Sequence, residues 1–367
     1  MADRYQLITD SEQFAALRDS WNELVSACAV NHAFMRHVWF DCWIKAFHTT
    51  GSLAIQTAWR DDRLCAVAPL RIARERRRGV SFNALQFLLS NITPRCNFIV
   101  HPGNTDVASF FDSLFEIPGW DVMELRALEV EQPITTMFIQ YLRERRDHVI
   151  EPGLKSPYEV LDGTWESFYK GRSMGYRKNF RNSANRLKKA GDYRVVALES
   201  PEDFEKHFDE LMSISARSWK AEAGVDLLSA PEQKEFYRLF SASGSREGLC
   251  IAFMLYLNER AIAFDYYLRH NRRLAGIRWE YDTEFKYYMP GTTLHAHVIR
   301  DLLNKGESWE YDLCGMTSEY KSGLVKSLRP HCNITVGGPG MRGKSIMLMK
   351  RAWMKLQHRD AGSSASS

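Results

Sequence analysis

Carboxylates stand at two places in otherwise apolar segments of the second half of the chain. In the segment LAGIRWEYD, the alternation of a β-strand directs Arg278, Glu280 and Asp282 to one face. Asp312 lies in another apolar segment, where burial would raise its pKa unless the carboxylate accepts hydrogen bonds. The alternative for Asp312 is a capping or turn carboxylate at the strand end. Glu280 and Asp312 are therefore candidate functional residues.

A segment rich in small residues follows the first of these strands and precedes a helical pattern. It comprises Pro290, Gly291, Thr292, Thr293 and Leu294. A helix that begins after such a turn exposes its first backbone N–H groups, which a pyrophosphate can approach closely. The alternative is an ordinary loop in which Thr292 or Thr293 caps the helix.

The apolar pattern around this segment predicts the elements that position these residues. Leu249–Leu257, Ala261–Leu268 and Leu274–Tyr281 are separated only by short turn-forming clusters, which is typical of an antiparallel meander. Helical spacing then continues from the Pro-Gly break to Gly306, and the next strand is Ser308–Leu313. The order of elements therefore places a carboxylate one strand away from the small-residue loop.

A strongly basic segment precedes the meander. Seven basic residues and no acidic residue occur from Arg172 to Lys189. Such a run usually forms a solvated helix face. It can also be a clamp for an anionic ligand, because Arg177, Arg181 and Lys188 fall near one stripe of the helix. Extensive nucleic-acid binding would require interleaved aromatic residues and more than this chain's net charge of +4.

The composition is that of a soluble globular protein. Hydrophobic residues make up 45% and charged residues 26% of the chain, and a length of 367 residues suits two domains. The seven cysteines include no CxxC pair, so we expect no disulfide framework, no structural zinc and a reducing cytoplasm. No signal pattern and no apolar window of about 18 residues occurs, so we expect only peripheral membrane contact.

Three motif classes are weakly supported. His295 and His297 are two residues apart on a predicted helix, so their side chains diverge, and we propose no metal site. A Ser-His-Asp hydrolase is poorly supported, because no GxSxG elbow lies on a predicted strand-to-helix turn. The segment Gly338–Ser345, GPGMRGKS, matches the phosphate-loop pattern, but only 22 residues follow it. We predict that this match is accidental, because a nucleotidase needs further parallel strands and an acidic magnesium ligand.

The sequence repeats its own landmarks at a nearly constant offset. Three pairs illustrate the repeat: Phe14 and Phe204 (190 residues apart), Pro102-Gly103 and Pro290-Gly291 (188), and Trp120 and Trp309 (189). The first half also contains a predicted hairpin, Leu53–Trp59 and Leu64–Ile72. An internal duplication is therefore predicted.

The duplication predicts an α/β fold with mixed sheets in two domains of like topology. We expect the first domain over residues 1–150 and the second, which includes the basic helix, over residues 151–335. Residues 336–367 are expected to form a C-terminal helix, with a disordered tail after Arg359.

These residues resemble the acetyltransferase domain of the GNAT superfamily, in the CelD/BcsL-like branch involved in cellulose and other exopolysaccharide biosynthesis. In the second half, the resemblance rests on the basic run ending in RLKKAG, on SARSWKAEAG, on EYD followed by MPGTTL, and on YDLCGMTSEYK. In the first half, it rests on the run from Phe14 through Trp21 and Trp43 to CAVAPL, so that it covers about Tyr5 to Pro330. The tandem arrangement also resembles the FemAB aminoacyltransferases, which add amino acids from tRNA to a peptidoglycan precursor.

The resemblance implies a tandem duplicated GNAT-like fold and an acyltransferase that uses acetyl-CoA as acyl donor. The loop Pro290–Leu294 would receive the pyrophosphate of CoA. The acceptor would be an amine or hydroxyl of a small molecule or of a cell-envelope carbohydrate.

The same resemblance implies roles for individual side chains. Glu280 or Asp312 would be the base, and Tyr320 or Tyr281 would be the acid that protonates the leaving thiolate. Lys321 would bind the acceptor or steady the oxyanion. Other candidates bind substrate: Arg177 and Arg181 for anionic groups or CoA phosphate, and Trp219 for a sugar ring or the pocket wall.

Two other functions stay open on the sequence. One is a transferase that depends on aminoacyl-tRNA, which is the case in which a nucleic acid would be a partner. The other is a non-catalytic module for polysaccharide assembly or nucleotide binding.

Overall fold

The computed structural model describes residues 4–47, 51–77 and 79–364, without the side chains of residues 319, 320 and 356–364. The first half begins with a strand, continues through helices and antiparallel strands, and ends with a long strand. Its elements are β1 (Arg4–Ile8), α1 (Ser11–Ala16), α2 (Arg18–Ala27), α3 (His37–Ala46), β2 (Ser52–Leu53), β3 (Ile55–Arg60), β4 (Arg63–Ala68), β5 (Leu70–Arg77), β6 (Val80–Phe87), β7 (Ile99–Val100), α4 (Val107–Phe115), β8 (Val122–Glu129), α5 (Pro133–Arg145) and β9 (His148–Leu161).

The second half begins with two helices and then repeats the same order of elements. These are α6 (Trp165–Lys170), α7 (Met174–Ala190), β10 (Tyr193–Leu198), α8 (Pro201–Ala216), α9 (Trp219–Glu222), α10 (Pro231–Arg246), β11 (Cys250–Leu257), β12 (Arg260–His270), β13 (Arg273–Tyr281), α11 (Pro290–Asn304), β14 (Trp309–Asp312), α12 (Glu319–Leu324), β15 (Ser327–Gly337) and α13 (Met341–Ser364).

The two halves share a topology, as the repeated landmarks predicted. In each half, antiparallel strands precede a helix, and the last of these strands in the large sheet pairs in parallel with the strand after that helix. These parallel pairs are β6 with β8 and β13 with β14, and each extends over three residue pairs. The fold is therefore a tandem duplicated α/β fold.

The meander of the second half follows from its turn residues. Asn258 and Glu259 (φ 47° and 63°) connect β11 to β12, and Asn271 and Arg272 (φ 49° and 53°) connect β12 to β13. Two-residue turns with positive φ at both positions match the twist of an antiparallel hairpin. The predicted meander is confirmed.

The halves exchange their last strands within one sheet. The order of the eleven-stranded sheet is β10-β11-β12-β13-β14-β9-β15-β8-β6-β5-β2. β9, from the first half, pairs with β14 of the second, whereas β15, from the second half, pairs with β8 of the first. β9 and β15 also pair with each other. The boundary expected between residues 150 and 151 thus falls within β9.

The first half departs from the repeat at Pro69. The sequence predicted one strand over Leu64–Ile72, but the chain forms β4 in a separate four-stranded sheet and β5 in the large one. Proline has no N–H to donate to a ladder, so a continuous central strand is interrupted at this position. The corresponding strand of the second half, β12, runs without interruption from Arg260 to His270.

Helices cover both faces of the second half of the large sheet. On one face, α8 and α10 contribute Phe204, Phe236 and Phe240 to the core. On the other face, α7 and α11 contribute Leu187 and Leu294. α10 also packs on α3 of the first half, so the two halves share one core on this face.

Two of the three glycines of GPGMRGKS serve close packing. A Cβ at Gly338 or at Gly343 would lie 2.6 Å from the carbonyl oxygen of Asp121, and the Gly338 N–H donates to that oxygen at 2.9 Å. The preceding strand, β15, is antiparallel to both its neighbours. These contacts account for Gly338 and Gly343 without a bound phosphate. Within the described ranges, no helix has the length and apolar composition needed to cross a lipid bilayer.

A buried ion network joins the halves beside the exchanged strands. Arg95, which is 1% exposed, lies 2.7 Å from Asp312 and 2.9 Å from Glu129. Arg329 donates to Asp312 at 2.6 Å and lies 3.8 Å from Glu129. Burial raises the pKa of Asp312, but the two guanidinium groups outweigh it and hold that pKa below its usual value.

We predict that Arg95→Leu destabilises the protein by about 3–5 kcal/mol, because it leaves two buried carboxylates short of a partner. Denaturant unfolding measures the effect. The control is Arg145→Leu, which removes an exposed pair with Asp112 at 3.2 Å and should cost less than about 1 kcal/mol. An equal loss of unfolding free energy in Arg95→Leu and Arg145→Leu would contradict a central role for the ion network.

Candidate active site

A cavity of about 1380 Å³ opens where β13 and β14 separate. The parallel pairing of these strands ends at Ala275 and Asp312, whereas β13 continues to Tyr281. Residues 276–281 therefore have no described ladder partner on the β14 side. The first half closes the opposite wall with the segment Phe87–Pro94, most of which lines the cavity, together with Arg71, Glu75, Gln86, Glu124 and Arg126. Both halves are thus needed to form the cavity.

The helix α11 starts at the edge of this cavity. The predicted loop is the first turn of the helix, because Pro290 occupies its first position and Met289 turns the chain with φ 53° and ψ 50°. Proline suits this position, since its N–H would be unpaired there anyway. Pro290, Gly291 and Thr292 line the cavity, and no described side chain caps the helix. The corresponding helix α4 is capped by Asp106, which accepts from Ser109 N at 3.2 Å.

The other two residues of the predicted loop are turned away from the cavity. Leu294 is fully buried in the core beneath α7 and α11. The Thr293 hydroxyl lies 2.7 Å from the hydroxyl of Ser183, which also lies 2.8 Å from Tyr288 O and 2.9 Å from Met289 O. Ser183 is on α7, so the basic helix fixes the position at which α11 begins.

Glu280 lies on the floor of the cavity, in a cluster of polar groups. Its carboxylate accepts from the Ser218 hydroxyl at 3.0 Å and from Arg278 Nε, and lies 3.5 Å from Lys220 Nζ. Arg278 donates its remaining hydrogen bonds to Gln233 and to a backbone carbonyl. The predicted alternation of β13 is confirmed, since Arg278 and Glu280 face α9 and α10 together.

Asp312, the other candidate base, lies outside the set of described residues that line the cavity. Arg95 and Arg329 hold its carboxylate within the central ion network, and the Cys314 N–H donates to it at 2.9 Å. The apolar strand around it indicated burial correctly, but both guanidinium groups come from distant segments. Its carboxylate is thus occupied by structural partners.

The remaining predicted catalytic residues lie around the cavity. Tyr281 lines it beside Glu280 on β13. Lys321 also lines it, and its ammonium donates to Leu313 O at 3.0 Å and to Cys314 O at 2.6 Å. Trp219 lies at the mouth with 49% of its surface exposed. The side chain of Tyr320 lies outside the described residues.

The basic residues predicted to bind anions lie on α7, outside the set of described residues lining the cavity. Arg181 is exposed and Arg177 is half-buried. Arg172 of the same run is buried and donates to Glu159 at 2.6 Å, which is a structural contact. Asn179 is the residue of α7 that reaches the cavity. The exposed basic residues of α7 therefore lie near the mouth of the cavity but do not line it.

Lys220 is a site residue that the sequence did not reveal. Its side chain lines the cavity next to Trp219. Burial and the nearby Arg278 charge lower the pKa of Lys220 from 10.5 to about 8, and Glu280 only partly opposes this change. A lysine following an exposed tryptophan on a short helix carries no distinctive sequence signal.

A second missed group lies on the opposite face of β13. Asp265 of β12 and His295 of α11 both line the cavity. Asp265 accepts from the Tyr267 hydroxyl at 3.1 Å, and His295 Nδ1 lies 2.5 Å from the Tyr311 hydroxyl. The sequence signal for this group was the acidic residue Asp265 within the apolar segment AIAFDYYL. The other members His295 and Tyr311 come from two other elements, so the group could not be assembled from the sequence.

Comparison with known proteins gives the family of the second half. Residues 174–322 match the acetyltransferase (GNAT) domain family. No curated protein sequence matches the chain.

Solved structures share the fold over nearly the whole chain at low sequence identity. FemX aligns with a TM-score of 0.59 and 11% identity, covering 90% of this chain and 96% of its own. A conserved protein of unknown function from Bacteroides thetaiotaomicron VPI-5482 aligns with a TM-score of 0.56 and 10% identity, covering 92% and 100%. L-PGS from Bacillus licheniformis aligns with a TM-score of 0.53 and 9% identity, covering 93% and 96%. The chain therefore carries a GNAT acyltransferase domain on a tandem GNAT fold, and it is an enzyme of the acyltransferase class.

The environment of Lys220 predicts unusual amine reactivity. Near pH 8, about half of its side chains should be neutral, so an acylating reagent small enough to enter the cavity should label Lys220 faster than the exposed Lys206. Peptide mass spectrometry across a pH series measures the rates. In Glu280→Gln the pKa should fall further, because the anion that favours the ammonium is lost. If the labelling rates of Lys220 and Lys206 depended on pH in the same way, the prediction would be wrong.

Proposed function

We propose that this enzyme transfers an acyl group, with acetyl-CoA as donor, to an amine or hydroxyl of a cell-envelope or exopolysaccharide carbohydrate or its precursor. The observation that carries the proposal is the start of α11, which opens uncapped into the cavity beside the free edge of β13. The family match over residues 174–322 supports acyl transfer. The sequence resemblance to the CelD/BcsL-like branch supports the carbohydrate acceptor.

The donor fits the α11 side of the cavity. Backbone N–H groups at a helix start bind phosphate oxygens, and Gly291 offers such a group next to the cavity, whereas the Thr292 N–H donates to Met289 O at 3.0 Å. The edge of residues 276–281 can pair with the amide groups of a pantetheine arm, as a sheet edge pairs with an added strand. Arg177 and Arg181 are proposed to meet the outer phosphates, since their helix packs on α11. In the first half, the Asp106 carboxylate occupies the equivalent helix start, which disfavours an anion there.

The acceptor fits the α9 side. Trp219 offers an exposed aromatic face, on which a sugar ring can stack. Glu280 is proposed as the base that accepts the proton of the attacking amine or hydroxyl. Tyr281 and Tyr320 are the acids that the sequence pattern suggests for the leaving sulfur. The Lys321 ammonium donates two of its three N–H groups to carbonyl oxygens. Its third N–H is proposed to stabilise the oxyanion.

A transferase dependent on aminoacyl-tRNA is the second candidate. Two observations favour it: the fold shared with FemX, and the exposed basic residues of α7, Lys178, Arg181, Lys188 and Lys189. An RNA backbone could follow such a face toward the cavity mouth.

The donor site predicts an asymmetry between two glycines. Gly291→Asp should weaken CoA binding about ten- to a hundredfold, because a carboxylate would compete with the pyrophosphate for the first N–H groups. The fold should not be weakened, since an acidic residue suits the first turn of a helix. Isothermal titration calorimetry with CoA measures the affinity.

The control is Gly103→Asp, at the glycine that the repeated landmarks pair with Gly291, in the segment before α4; it should bind CoA normally. The reverse pattern would place the donor site in the first half. Binding of aminoacyl-tRNA but not CoA by the unmodified chain would select the second candidate function.

The proposed base predicts a kinetic defect. Glu280→Gln should lower kcat by about 10²–10⁴-fold with little change in the KM for acetyl-CoA. Release of CoA measured with a thiol reagent reports the rate. The control is Glu199→Gln, which alters an exposed pair with Arg269 and should leave the kinetics unchanged. Full activity of a folded Glu280→Gln protein would exclude this base.

A further inference from the structure

The backbone of Lys220 is fixed on both sides at the acceptor side of the cavity. Its N–H donates to the Ser218 hydroxyl at 3.2 Å, and its carbonyl accepts from Val225 N at 2.9 Å. The Ser218 hydroxyl also lies 3.0 Å from Glu280 Oε2, so the segment that carries Lys220 is joined to the proposed base. From this segment the lysine side chain extends along the cavity, and its Nζ lies 3.5 Å from Glu280 Oε1.

The charges around Lys220 do not require a second cation. The Arg278 guanidinium already pairs with Glu280, so a Lys220 ammonium is a second positive charge beside one buried carboxylate. Its distance of 3.5 Å also exceeds the usual N–H···O range of about 2.7–3.2 Å. Burying a charge that is not fully paired costs free energy, which favours the neutral amine. A structural ion pair therefore does not account for this lysine.

The Lys220 amine lies where the proposed mechanism requires the acceptor. A general base accepts a proton from an atom within hydrogen-bond reach, or through one water molecule. The attacking nitrogen or oxygen of the acceptor must therefore come close to the Glu280 carboxylate, as Lys220 Nζ does. Glu280 belongs to residues 276–281 of β13, the strand edge along which the donor is proposed to lie.

Electrostatic effects connect Lys220 to both sides of β13. On its own side, burial and the Arg278 charge lower the pKa of Lys220 to about 8, Glu280 opposes this, and the Lys321 charge adds to the lowering. On the α11 side, burial raises the pKa of Asp265, and the Tyr267 hydroxyl and the Lys220 charge oppose that rise. The amine is therefore near the centre of the cavity, and a large fraction of it is neutral at mildly alkaline pH.

We propose that Lys220 is a self-acylation site, to which the enzyme transfers the acyl group of its donor when no acceptor is bound. This inference rests on the proposed function, because it uses the same donor and the same base. The neutral amine forms a bond to the acyl carbon, the carbon–sulfur bond breaks, and the sulfur leaves with the electron pair. Glu280 takes a proton from the nitrogen and returns it to solvent, and the sulfur takes a proton from solvent. The products are an Nε-acyl lysine, which fills the acceptor position, and free CoA.

Incubation of the full-length protein with acetyl-CoA that carries a deuterated acetyl group, without an acceptor, tests the site. Peptide mass spectrometry should find one acetyl group per chain, at Lys220, and the rate should saturate as the acetyl-CoA concentration rises. The rate should increase up to about pH 8 and then level off, because the amine has lost its proton above its pKa. The exposed Lys206 is the internal control, and its acetylation should stay proportional to the acetyl-CoA concentration.

Two variants distinguish acetylation by the enzyme from simple chemical reactivity. At about pH 9, Glu280→Gln should slow acetylation from acetyl-CoA by about 10²–10⁴-fold, because the base is lost. At about pH 7, the same variant should be labelled faster by acetic anhydride, because the pKa of Lys220 falls further without the anion. Gly291→Asp should raise the half-saturating concentration of acetyl-CoA about ten- to a hundredfold. The control Glu199→Gln alters an exposed pair with Arg269 and should change neither reaction.

Calorimetry with CoA separates the possible failures. Binding of CoA without saturable acetylation of Lys220 would overturn this inference and leave the proposed function intact. Acetylation that is equally fast at Lys206, or at Lys220 of the denatured chain, would also overturn it. If neither CoA nor acetyl-CoA binds, the proposed donor is wrong and self-acylation is excluded with it.

Discussion

The exchange of the last strands between the two halves is the constraint on which the rest of the molecule depends. β9 completes the second half and β15 completes the first, so neither half has a finished sheet without the other. Arg95 and Arg329 neutralise Asp312 and Glu129 beside this crossing. Buried ions of this kind are favourable only when every partner is present, which ties the charge network to the correct pairing of the strands. Folding of the two halves is therefore coupled, although each repeats the same topology.

Small differences between the repeats make them chemically unequal. In the first half, Pro69 divides a strand between two sheets, and the Asp106 carboxylate caps the helix that corresponds to α11. In the second half, the equivalent strand is continuous and the helix start is open to the cavity. The first half instead supplies a wall, through the segment after β6. The duplication thus produced one half whose helix start is open to the cavity and one half that encloses the cavity.

The separation of β13 from β14 gives the site two chemically different sides. Toward α9 and α10, Glu280 lies among Ser218, Lys220 and Arg278. Toward α11, Asp265 and His295 form a hydrogen-bonded cluster with the hydroxyl groups of Tyr267 and Tyr311. Alternation of side chains along strands separates these groups, while the open strand edge lets both reach one cavity. Two groups of titratable side chains thus reach one cavity from opposite faces of the strand.

The sequence by itself determined the duplication, the meander, the helix after Pro290 and the alternation that presents Glu280, because these depend on local spacing and turn chemistry. It also indicated that Asp312 would be buried, since the surrounding strand is apolar. Only the tertiary structure showed that the buried Asp312 carboxylate is paired with Arg95, because Arg95 lies 217 residues away in the chain.

The exchange of β9 and β15 could not be predicted from local patterns either. The sequence of a strand indicates which side chains share a face, but not which strands pair with it. The cluster of Asp265, Tyr267, Tyr311 and His295 gathers residues from β12, β14 and α11, and the low pKa of Lys220 arises from burial beside Arg278. Such properties come from distance and desolvation, which the fold alone sets.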